Sequence, residues 1–398
     1  MQTQRELFLA HQGQTSDAPL CLEFEKAEGC IVYDTTGKEH IDIISGISVS
    51  NLGHRHPRVI AAVEEQLKKY TYLMVYGEYI QTPQVQLATL LSQHLPKKLN
   101  STFLVNSGSE AIEGAMKLAK RYTGKHEIVA CHNSYHGSTH GCLSIIGDET
   151  FRNSFRPLLP GITHINYNNE NDLLSITEKT AAIVIEPIQA EGGIIVPKND
   201  FLKKVRQRCD EVGALMILDE IQTGFGRTGS LFAFEQFNIV PDILCIAKGM
   251  GGGFPIGGFV SDKKIMDTLQ TNPFLGHITT FGGHPISAAA AHANLLELTE
   301  NKIALIDTVK EKEQLFLKLL QHPAIEEIKS FGLMIALKFD SFKTNKAIID
   351  TCIKNGVLTD WFLFADNHLR IAPPLIITEA EIREACKIIT EAIESNCI

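Results

Sequence analysis

The chain has 398 residues, of which 44% are hydrophobic and 21% charged, and its formal net charge is −9. A chain of this length can bury a large core and typically divides into two domains. Its acidic balance, with no run of five like charges, argues against a role in nucleic-acid binding or at a membrane surface. No apolar stretch approaches the roughly 18 residues that a transmembrane helix needs. The first residues lack the apolar core of a signal peptide.

Metal binding has weak support in the sequence. Nine irregularly spaced cysteines form no CxxC pair, which fits reduced thiols in the cytoplasm better than a disulfide framework or a zinc site. His54 and His56 form an HxH pair in a predicted loop, but no cysteine or carboxylate cluster accompanies them. We therefore expect a cytoplasmic protein without a metal site, in which these two histidines take part in loop packing.

Strand and helix patterns alternate from residue 61 to residue 295. The predicted strands are short apolar runs bounded by turn residues, at 103–105, 127–131, 163–167, 181–185, 215–218, 243–247 and 257–262. Amphipathic helices are predicted from Glu110 to Gly124 and over 201–213. Strand–helix–strand spacing of this kind is typical of βαβ units, so an α/β fold with a partly parallel sheet is predicted.

The two ends of the chain have a different character. Residues 1–60 contain short strands and a hairpin-like turn, and Pro57 suits the first turn of a helix. After about residue 300, helices and strands mix and end in a long helix over 379–395. We predict a large domain over residues 61–295. Residues 296–398 should form a small α+β domain that residues 1–60 complete.

Two buried strands end in an ionisable residue. The run 215–218 leads into Asp219, and the run 243–247 leads into Lys248, which glycines follow. In open α/β sheets, ligands bind at the carboxyl ends of such strands. An acid and a lysine at that edge can hold a pyridine ring that carries an aldehyde, with the acid at the ring nitrogen and the lysine in a Schiff base. Alone, such a lysine is usually a solvated charge and such an aspartate a turn former, so this hypothesis needs further parts.

A second feature is the small-residue turn that opens the helix at Glu110. Ser107, Gly108 and Ser109 can offer free backbone N–H groups at the positive end of the helix dipole, which suits a phosphate. The same turn can instead be a simple helix cap that pairs Ser107 with Glu110. After the strand 127–131, the sequence Tyr135-His136-Gly could lay an aromatic ring on a flat ligand.

Eight motifs in this order resemble the class III aminotransferases, the ornithine/acetylornithine-like or ω-aminotransferases among the fold-type I enzymes that use pyridoxal 5'-phosphate (PLP). The motifs are GISVSNLGHRHP, NSGSEAIEGAMKLAK, SYHGS, EPIQAEGG, LDEIQTGFGRTG, AKGMGGGFPIGG, TTFGGHP and LRIAPPL. The resemblance covers nearly the whole chain. It implies a large domain with a mostly parallel seven-stranded sheet flanked by helices, the cofactor PLP, and a homodimer with active sites at the subunit interface.

The resemblance also implies roles for the residues around the cofactor ring. Lys248 would form the Schiff base and then act as the acid/base of the proton transfer, which a pKa lowered by burial would assist. Asp219 would pair with the pyridine nitrogen. Gln222 would donate a hydrogen bond to the ring oxygen, and Tyr135 would stack on the ring with His136 beside it.

Phosphate and substrate positions follow in the same way. Ser107, Gly108 and Ser109 would bind the phosphate, and Thr280 would reach it from the other subunit, with Thr279 near the substrate. Arg370 and Glu191 match a switch pair: the arginine takes the carboxylate of a keto acid such as 2-oxoglutarate, and the glutamate neutralises it when an amine binds. Arg370 lies in an apolar run, so a charged partner is physically required.

One departure from the family pattern concerns the amino donor. Related enzymes usually carry an arginine after the aromatic-His-Gly motif, where it binds the distal carboxylate of the donor, but this chain has Ser138. Ala190 replaces a common glycine, which is minor.

We predict a transaminase that uses an ω-amino compound such as ornithine or acetylornithine. A PLP-dependent racemase, epimerase or aminomutase is one alternative, and a non-catalytic or nucleotide-binding α/β protein is another.

Overall fold

Three β-sheets organise the chain, which a computed structural model describes over residues 2–397. Their strands are β1 (Phe24–Glu28), β2 (Ile31–Asp34), β3 (Glu39–Asp42), β4 (Ser101–Val105), β5 (Glu127–Cys131), β6 (Ile162–Ile165), β7 (Thr180–Ile185), β8 (Leu215–Asp219), β9 (Ile243–Ile246), β10 (Gly257–Ser261), β11 (Glu327–Ser330), β12 (Ile335–Lys338), β13 (Val357–Leu358), β14 (Asp360–Phe362) and β15 (Ala365–Ile371).

Helices cover these sheets. They are α1 (Gln4–His11), α2 (Ser45–Ser48), α3 (Pro57–Leu67), α4 (Thr82–His94), α5 (Gly108–Thr123), α6 (His140–Ile145), α7 (Glu149–Arg152), α8 (Phe201–Val212), α9 (Phe234–Phe237), α10 (Lys263–Met266), α11 (Pro285–Glu300), α12 (Lys302–Leu305), α13 (Val309–Leu319), α14 (Phe342–Lys354) and α15 (Glu379–Asn396). Short 3₁₀ helices span Asn153–Phe155, Glu170–Ser175, Lys248–Met250 and Asp267–Gln270. Within residues 2–397, no helix combines the length and the apolar character needed to cross a membrane.

The central sheet has seven strands in the order β4-β10-β9-β8-β7-β5-β6. Strand β10 runs antiparallel to both of its neighbours, and all the other pairs are parallel. Every residue of β7, β8 and β9 is buried, as apolar strands between two layers of helices should be. The predicted α/β class and the mostly parallel seven-stranded sheet are confirmed.

Helix α5 shows why the sequence pattern located the elements well. Ser107 caps its start by accepting a hydrogen bond from Glu110 N–H, and Gly124 ends it with a φ of +69°, a left-handed conformation that favours glycine. Ala111 and Leu118 lie on its buried face.

Element ends were predicted less well. The strand predicted to reach Tyr167 ends at Ile165, and the Tyr167 hydroxyl donates to the Pro187 carbonyl at 2.8 Å.

Both ends of the chain contribute to one of the two four-stranded sheets. Its order is β1-β2-β3-β13, and β13 pairs in parallel with β3. The other sheet has the order β11-β12-β15-β14. This pairing joins the N-terminal segment to the last 50 residues of the chain, and the small domain made from both ends stays a prediction. The boundaries at residues 60 and 295 stay a prediction.

Candidate active site

A cavity of about 430 Å³ opens at the carboxyl ends of β7, β8 and β9. Glu186 follows β7, Asp219 ends β8, and Lys248 comes two residues after β9, so three neighbouring parallel strands each bring an ionisable side chain to one edge of the sheet. The cavity is lined by Val49, Asn106, Ser107, Gly108, Ser109, Tyr135, His136, Gly137, Glu186, Asp219, Ile221, Gln222, Thr223, Ala247, Lys248, Gly253, Phe254, Pro255 and Ile256.

Lys248 stands at the start of a 3₁₀ turn with a φ of +44°. A residue with a side chain adopts this left-handed conformation at a cost of order 1 kcal/mol, and such outliers concentrate at functional sites. Burial lowers the pKa of Lys248 below its usual value, opposed by Glu191 and assisted by Arg370. The ammonium group is therefore easier to deprotonate than that of an exposed lysine.

Asp219 is held by two contacts on opposite oxygens. Its Oδ2 lies 2.7 Å from His136 Nδ1, and its Oδ1 accepts the Ile221 N–H at 3.0 Å. The side chains of Asp219 and His136 are both buried. Among the described residues, His136 Nε2 has no hydrogen-bond partner. The histidine, which the sequence placed only beside the aromatic ring of Tyr135, thus orients the aspartate.

Glu186 was not assigned a role from the sequence, although it follows a buried strand in the same way as Asp219. Its two oxygens accept the N–H groups of Tyr135 at 3.1 Å and Ala190 at 3.0 Å. Burial raises the pKa of Glu186 to about 7; His136 and the two backbone N–H groups lower it, and Asp219 raises it further. Asp219 and Lys248 were found because each follows a predicted buried strand, and the same pattern could have identified Glu186.

The turn before α5 contains the helix cap that its sequence allowed. Ser107 Oγ accepts Glu110 N–H at 3.2 Å, which confirms the cap. The first main-chain bond of the helix runs from Ala111 N–H to the Ser107 carbonyl, so Gly108 and Ser109 have no acceptor within the helix for their N–H groups. A Cβ atom on Gly108 would lie 2.8 Å from the end of the Ile221 side chain, so a larger residue here would require Ile221 to shift.

Arg370 and Glu191, 179 residues apart, form a buried two-pronged ion pair. The distances are 2.8 Å from Nη1 to Oε1 and 2.9 Å from Nη2 to Oε2. Gln222, which lines the cavity, donates its Nε2–H to Glu191 Oε1 at 2.8 Å. Burial acts to raise the pKa of Glu191, but the charge and hydrogen bonds of Arg370 outweigh it and hold the value at about 2. The structure thus supplies the charged partner that Arg370 was expected to need.

A second carboxylate on Arg370 has no signal in the sequence. Asp360 Oδ1 lies 3.0 Å from Arg370 Nε, the Trp361 carbonyl accepts from Nη2 at 2.8 Å, and the guanidinium carbon lies 4.4 Å from the centroid of the Phe362 ring. Burial raises the pKa of Asp360 to about 6, which Arg370 opposes. Only the fold brings β14 beside β15 and so reveals this contact.

The remaining predicted site residues lie at or beyond the edge of the cavity. The Tyr135 hydroxyl is 3.1 Å from Ser138 Oγ, and Ser138 itself is exposed.

Thr279 Oγ1 accepts the Asn106 Nδ2–H at 2.8 Å, which places Thr279 beside the Ser107 turn. Thr280 is exposed, does not line the cavity, and accepts the Tyr72 hydroxyl at its carbonyl.

The two histidines of the HxH pair each lie near one carboxylate. His54 Nε2 is 2.8 Å from Asp42 Oδ2, and His56 Nε2 is 3.9 Å from Glu297 Oε1. Among the residues from 2 to 397, no group of three or more His, Cys, Asp or Glu side chains is arranged to hold a metal ion.

Comparisons with known proteins agree on one family. The model of the family "Aminotransferase class-III" matches residues 12–393. An acetylornithine aminotransferase from Clostridium acetobutylicum is 38% identical over 382 residues, which cover 93% of this chain and 96% of the relative. The acetylornithine aminotransferase of Methanopyrus kandleri is 36% identical over 372 residues, with 93% of each chain covered.

A solved structure gives the same result for the fold. The ornithine aminotransferase from Toxoplasma gondii, whose active site holds PLP at partial occupancy, matches with a TM-score of 0.90 and 30% identity. The match covers 98% of this chain and 93% of that one. The chain therefore belongs to the class-III aminotransferases and is a transaminase.

Proposed function

We propose that the chain binds PLP in the cavity at Lys248 and transfers an amino group from an ω-amino compound to a keto acid such as 2-oxoglutarate. The observation that carries the proposal is that Lys248 and Asp219, from adjacent parallel strands, line one cavity together with the first residues of α5. That combination of a nucleophilic amine, a buried acid and free N–H groups matches the aldehyde, the pyridine nitrogen and the phosphate of PLP.

The residues present fit this cofactor. Lys248 would carry it through Nζ, and Asp219, fixed by His136, would keep the ring nitrogen protonated. The N–H groups of Gly108 and Ser109, which have no acceptor within the helix, suit the phosphate. Gly108 also has no Cβ atom that would press on the Ile221 side chain. Tyr135 adds an aromatic surface to the same cavity.

When bound, PLP would supply a carbonyl that reacts with amines and a ring that withdraws electrons. The lowered pKa of Lys248 would let its amine take a proton from the substrate carbon and donate it to a different carbon atom. Gln222 links the cavity to Glu191. While Glu191 is paired with Arg370, the charge of the arginine is neutralised, and this is the state in which an amine binds. When a keto acid arrives, its carboxylate would take the place of Glu191 in the same two-pronged geometry.

The test uses the colour of the cofactor. The purified protein should be yellow, and borohydride should fix the cofactor to Lys248, as a peptide map would reveal. Lys248→Ala should lose turnover while keeping its fold, and Lys179→Ala, the same change at an exposed lysine, should keep activity. Full activity in Lys248→Ala would remove that lysine from the mechanism.

Keto-acid consumption separates transamination from the alternative reactions. A transaminase consumes one keto acid for each donor converted, whereas a racemase, epimerase or aminomutase consumes none in net turnover. Membership of the class-III aminotransferases favours transamination and leaves the non-catalytic, nucleotide-binding alternative without support. Ornithine and acetylornithine, the donors we predicted, belong in the same assay.

We also propose a homodimer in which Thr280 serves the phosphate site of the partner subunit. Support comes from the segments that the Tyr72–Thr280 hydrogen bond joins, which carry exposed apolar side chains: Ile80 is 95% exposed and Phe281, next to Thr280, is 54% exposed. Apolar side chains grouped in this way suit a subunit contact. Sedimentation should give a dimer, and Thr280→Ala should release PLP more easily. A monomer that is fully active would refute this assembly. A cytoplasmic location likewise stays a proposal, which a fluorescently tagged chain would check.

A further inference from the structure

Three aromatic side chains form a continuous surface beside the cavity, which we call the aromatic wall: Tyr135, Phe364 and Phe151. The Tyr135 and Phe364 rings have centroids 6.5 Å apart, and Phe151 packs edge-on against Phe364 at 5.2 Å with an interplanar angle of 84°. Tyr135 lines the cavity, whereas Phe151 is 38% exposed. The wall therefore runs from the cavity out to solvent and leaves apolar area that a ligand could cover.

The hydroxyl groups that the wall presents are neutral, and Arg370, which Glu191 links to the wall, is paired. Tyr135 and Ser138 contribute neutral hydroxyls 3.1 Å apart. Arg370 is held by both oxygens of Glu191 and by Asp360 at 3.0 Å. A carboxylate on the far end of an amino donor would meet neutral hydroxyls and aromatic rings at this wall while the ion pair is closed. An apolar chain or ring would gain from burial instead.

The main chain of the wall is tied to the switch glutamate. Leu363 N–H donates to Glu191 Oε2 at 3.0 Å, and Phe364 N–H donates to the Glu191 carbonyl at 3.1 Å. The first of these bonds uses the same oxygen that pairs with Arg370 Nη2. When the Glu191 carboxylate leaves Arg370, the Leu363 bond must break as well. Of the two main-chain bonds at Leu363 and Phe364, the one from Leu363 therefore depends on the closed state of the pair.

We propose that Phe364 is a specificity-determining residue of the donor half-reaction, packing with Tyr135 and Phe151 against the apolar substituent of a primary amine that carries no distal carboxylate. The proposal rests on the proposed function and narrows its donor to amines with an alkyl or aryl substituent, which excludes ornithine and acetylornithine because both carry a carboxylate. Because Glu191 Oε2 holds the Leu363 N–H only while it neutralises Arg370, the main chain beside Phe364 is fully bonded for the amine and has one bond fewer for the keto acid.

The test compares donors that differ only in the feature at issue. Loss of the visible band of the PLP form gives KM and the maximum rate for 2-phenylethylamine, butylamine and 4-aminobutanoate. The unmodified enzyme should use butylamine better than 4-aminobutanoate, which has a carboxylate where butylamine has its terminal methyl group. In Phe364→Ala, kcat/KM should fall about tenfold for 2-phenylethylamine, mainly through KM, and less than twofold for recovery of the band with 2-oxoglutarate.

Two further variants give the outcomes a clear meaning. Phe364→Leu, which keeps apolar bulk, should lose only about threefold, and it decides the case if Phe364→Ala fails to hold PLP. Phe155→Ala changes an exposed phenylalanine outside the wall and should leave every donor unchanged. Equal losses for 2-phenylethylamine and 2-oxoglutarate, no loss for either, or a preference for 4-aminobutanoate would each overturn the inference. If no amine at all bleaches the band, the proposed function itself has failed.

Discussion

Replacing Glu191 by glutamine should move the two half-reactions in opposite directions. The substitution keeps the size of the side chain but removes the charge that neutralises Arg370. An amine would then bind beside an uncompensated guanidinium, so the donor half-reaction should slow. A keto acid would no longer have to displace a carboxylate, so it should bind more tightly.

The contacts of Glu191 set the expected magnitude. Its carboxylate accepts four N–H groups: two from Arg370, one from Gln222 and one from Leu363. A glutamine has one acceptor oxygen, so at least one of the two bonds to Arg370 must be lost. A hydrogen bond to a charged group contributes about 1.5–3 kcal/mol. Since Asp360 remains 3.0 Å from Arg370, the low end applies, which corresponds to about tenfold in each half-reaction.

The two half-reactions can be followed separately. Loss of the visible band with a donor amine gives kcat/KM for the first, and its recovery with 2-oxoglutarate gives KM for the second. Glu178→Gln makes the same chemical change at an exposed residue and should alter neither. A loss of equal size in both half-reactions of Glu191→Gln would mean that the Glu191–Arg370 pair is only a structural ion pair.

Three other changes test the site and its supports. Asp360→Asn should lower KM for 2-oxoglutarate several-fold and spare the amine, because Arg370 would lose the carboxylate that still offsets its charge when Glu191 leaves; steady-state kinetics would detect this. Glu186 has a folded-state pKa of about 7 against an ordinary 4.5, so the stability that it contributes below pH 4.5 is lost as the pH rises through 7. The free energy of unfolding of Glu186→Gln should therefore fall less than that of the unmodified apoprotein between pH 5 and 7, by about 2 kcal/mol in urea titrations. Arg227→Met should lower the free energy of unfolding by about 3 kcal/mol, since buried Arg227 donates to Asn51 Oδ1 at 2.7 Å and to the carbonyls of Leu333 and Pro373; an unchanged urea midpoint would contradict this.

Local sequence patterns located most of the central sheet because its strands are buried on both faces. Such strands are continuous apolar runs, and Asp219 and Lys248 stand out because each follows one. The cap at Ser107 and the left-handed Gly124 follow from local chemistry as well. These elements needed no knowledge of the fold.

Contacts between distant segments could not be found in this way. Arg370 and Glu191 were paired through resemblance to a family, and nothing in the residues between them predicts the contact. Asp360 lies in a short strand of three residues, where periodicity carries no information. The bond from Leu363 to Glu191 uses a backbone N–H, which no side-chain pattern can reveal.

The parallel pairing of β3 with β13 has a consequence for synthesis on the ribosome. Residues 39–42 leave the exit tunnel early, but their neighbour in the sheet, residues 357–358, is made only near the end of translation. At about 5–20 residues per second, the roughly 300 intervening residues take about 15–60 s to appear. During that interval the nascent chain presents one open strand edge, the kind of edge that invites pairing with another chain until residues 357–358 cover it.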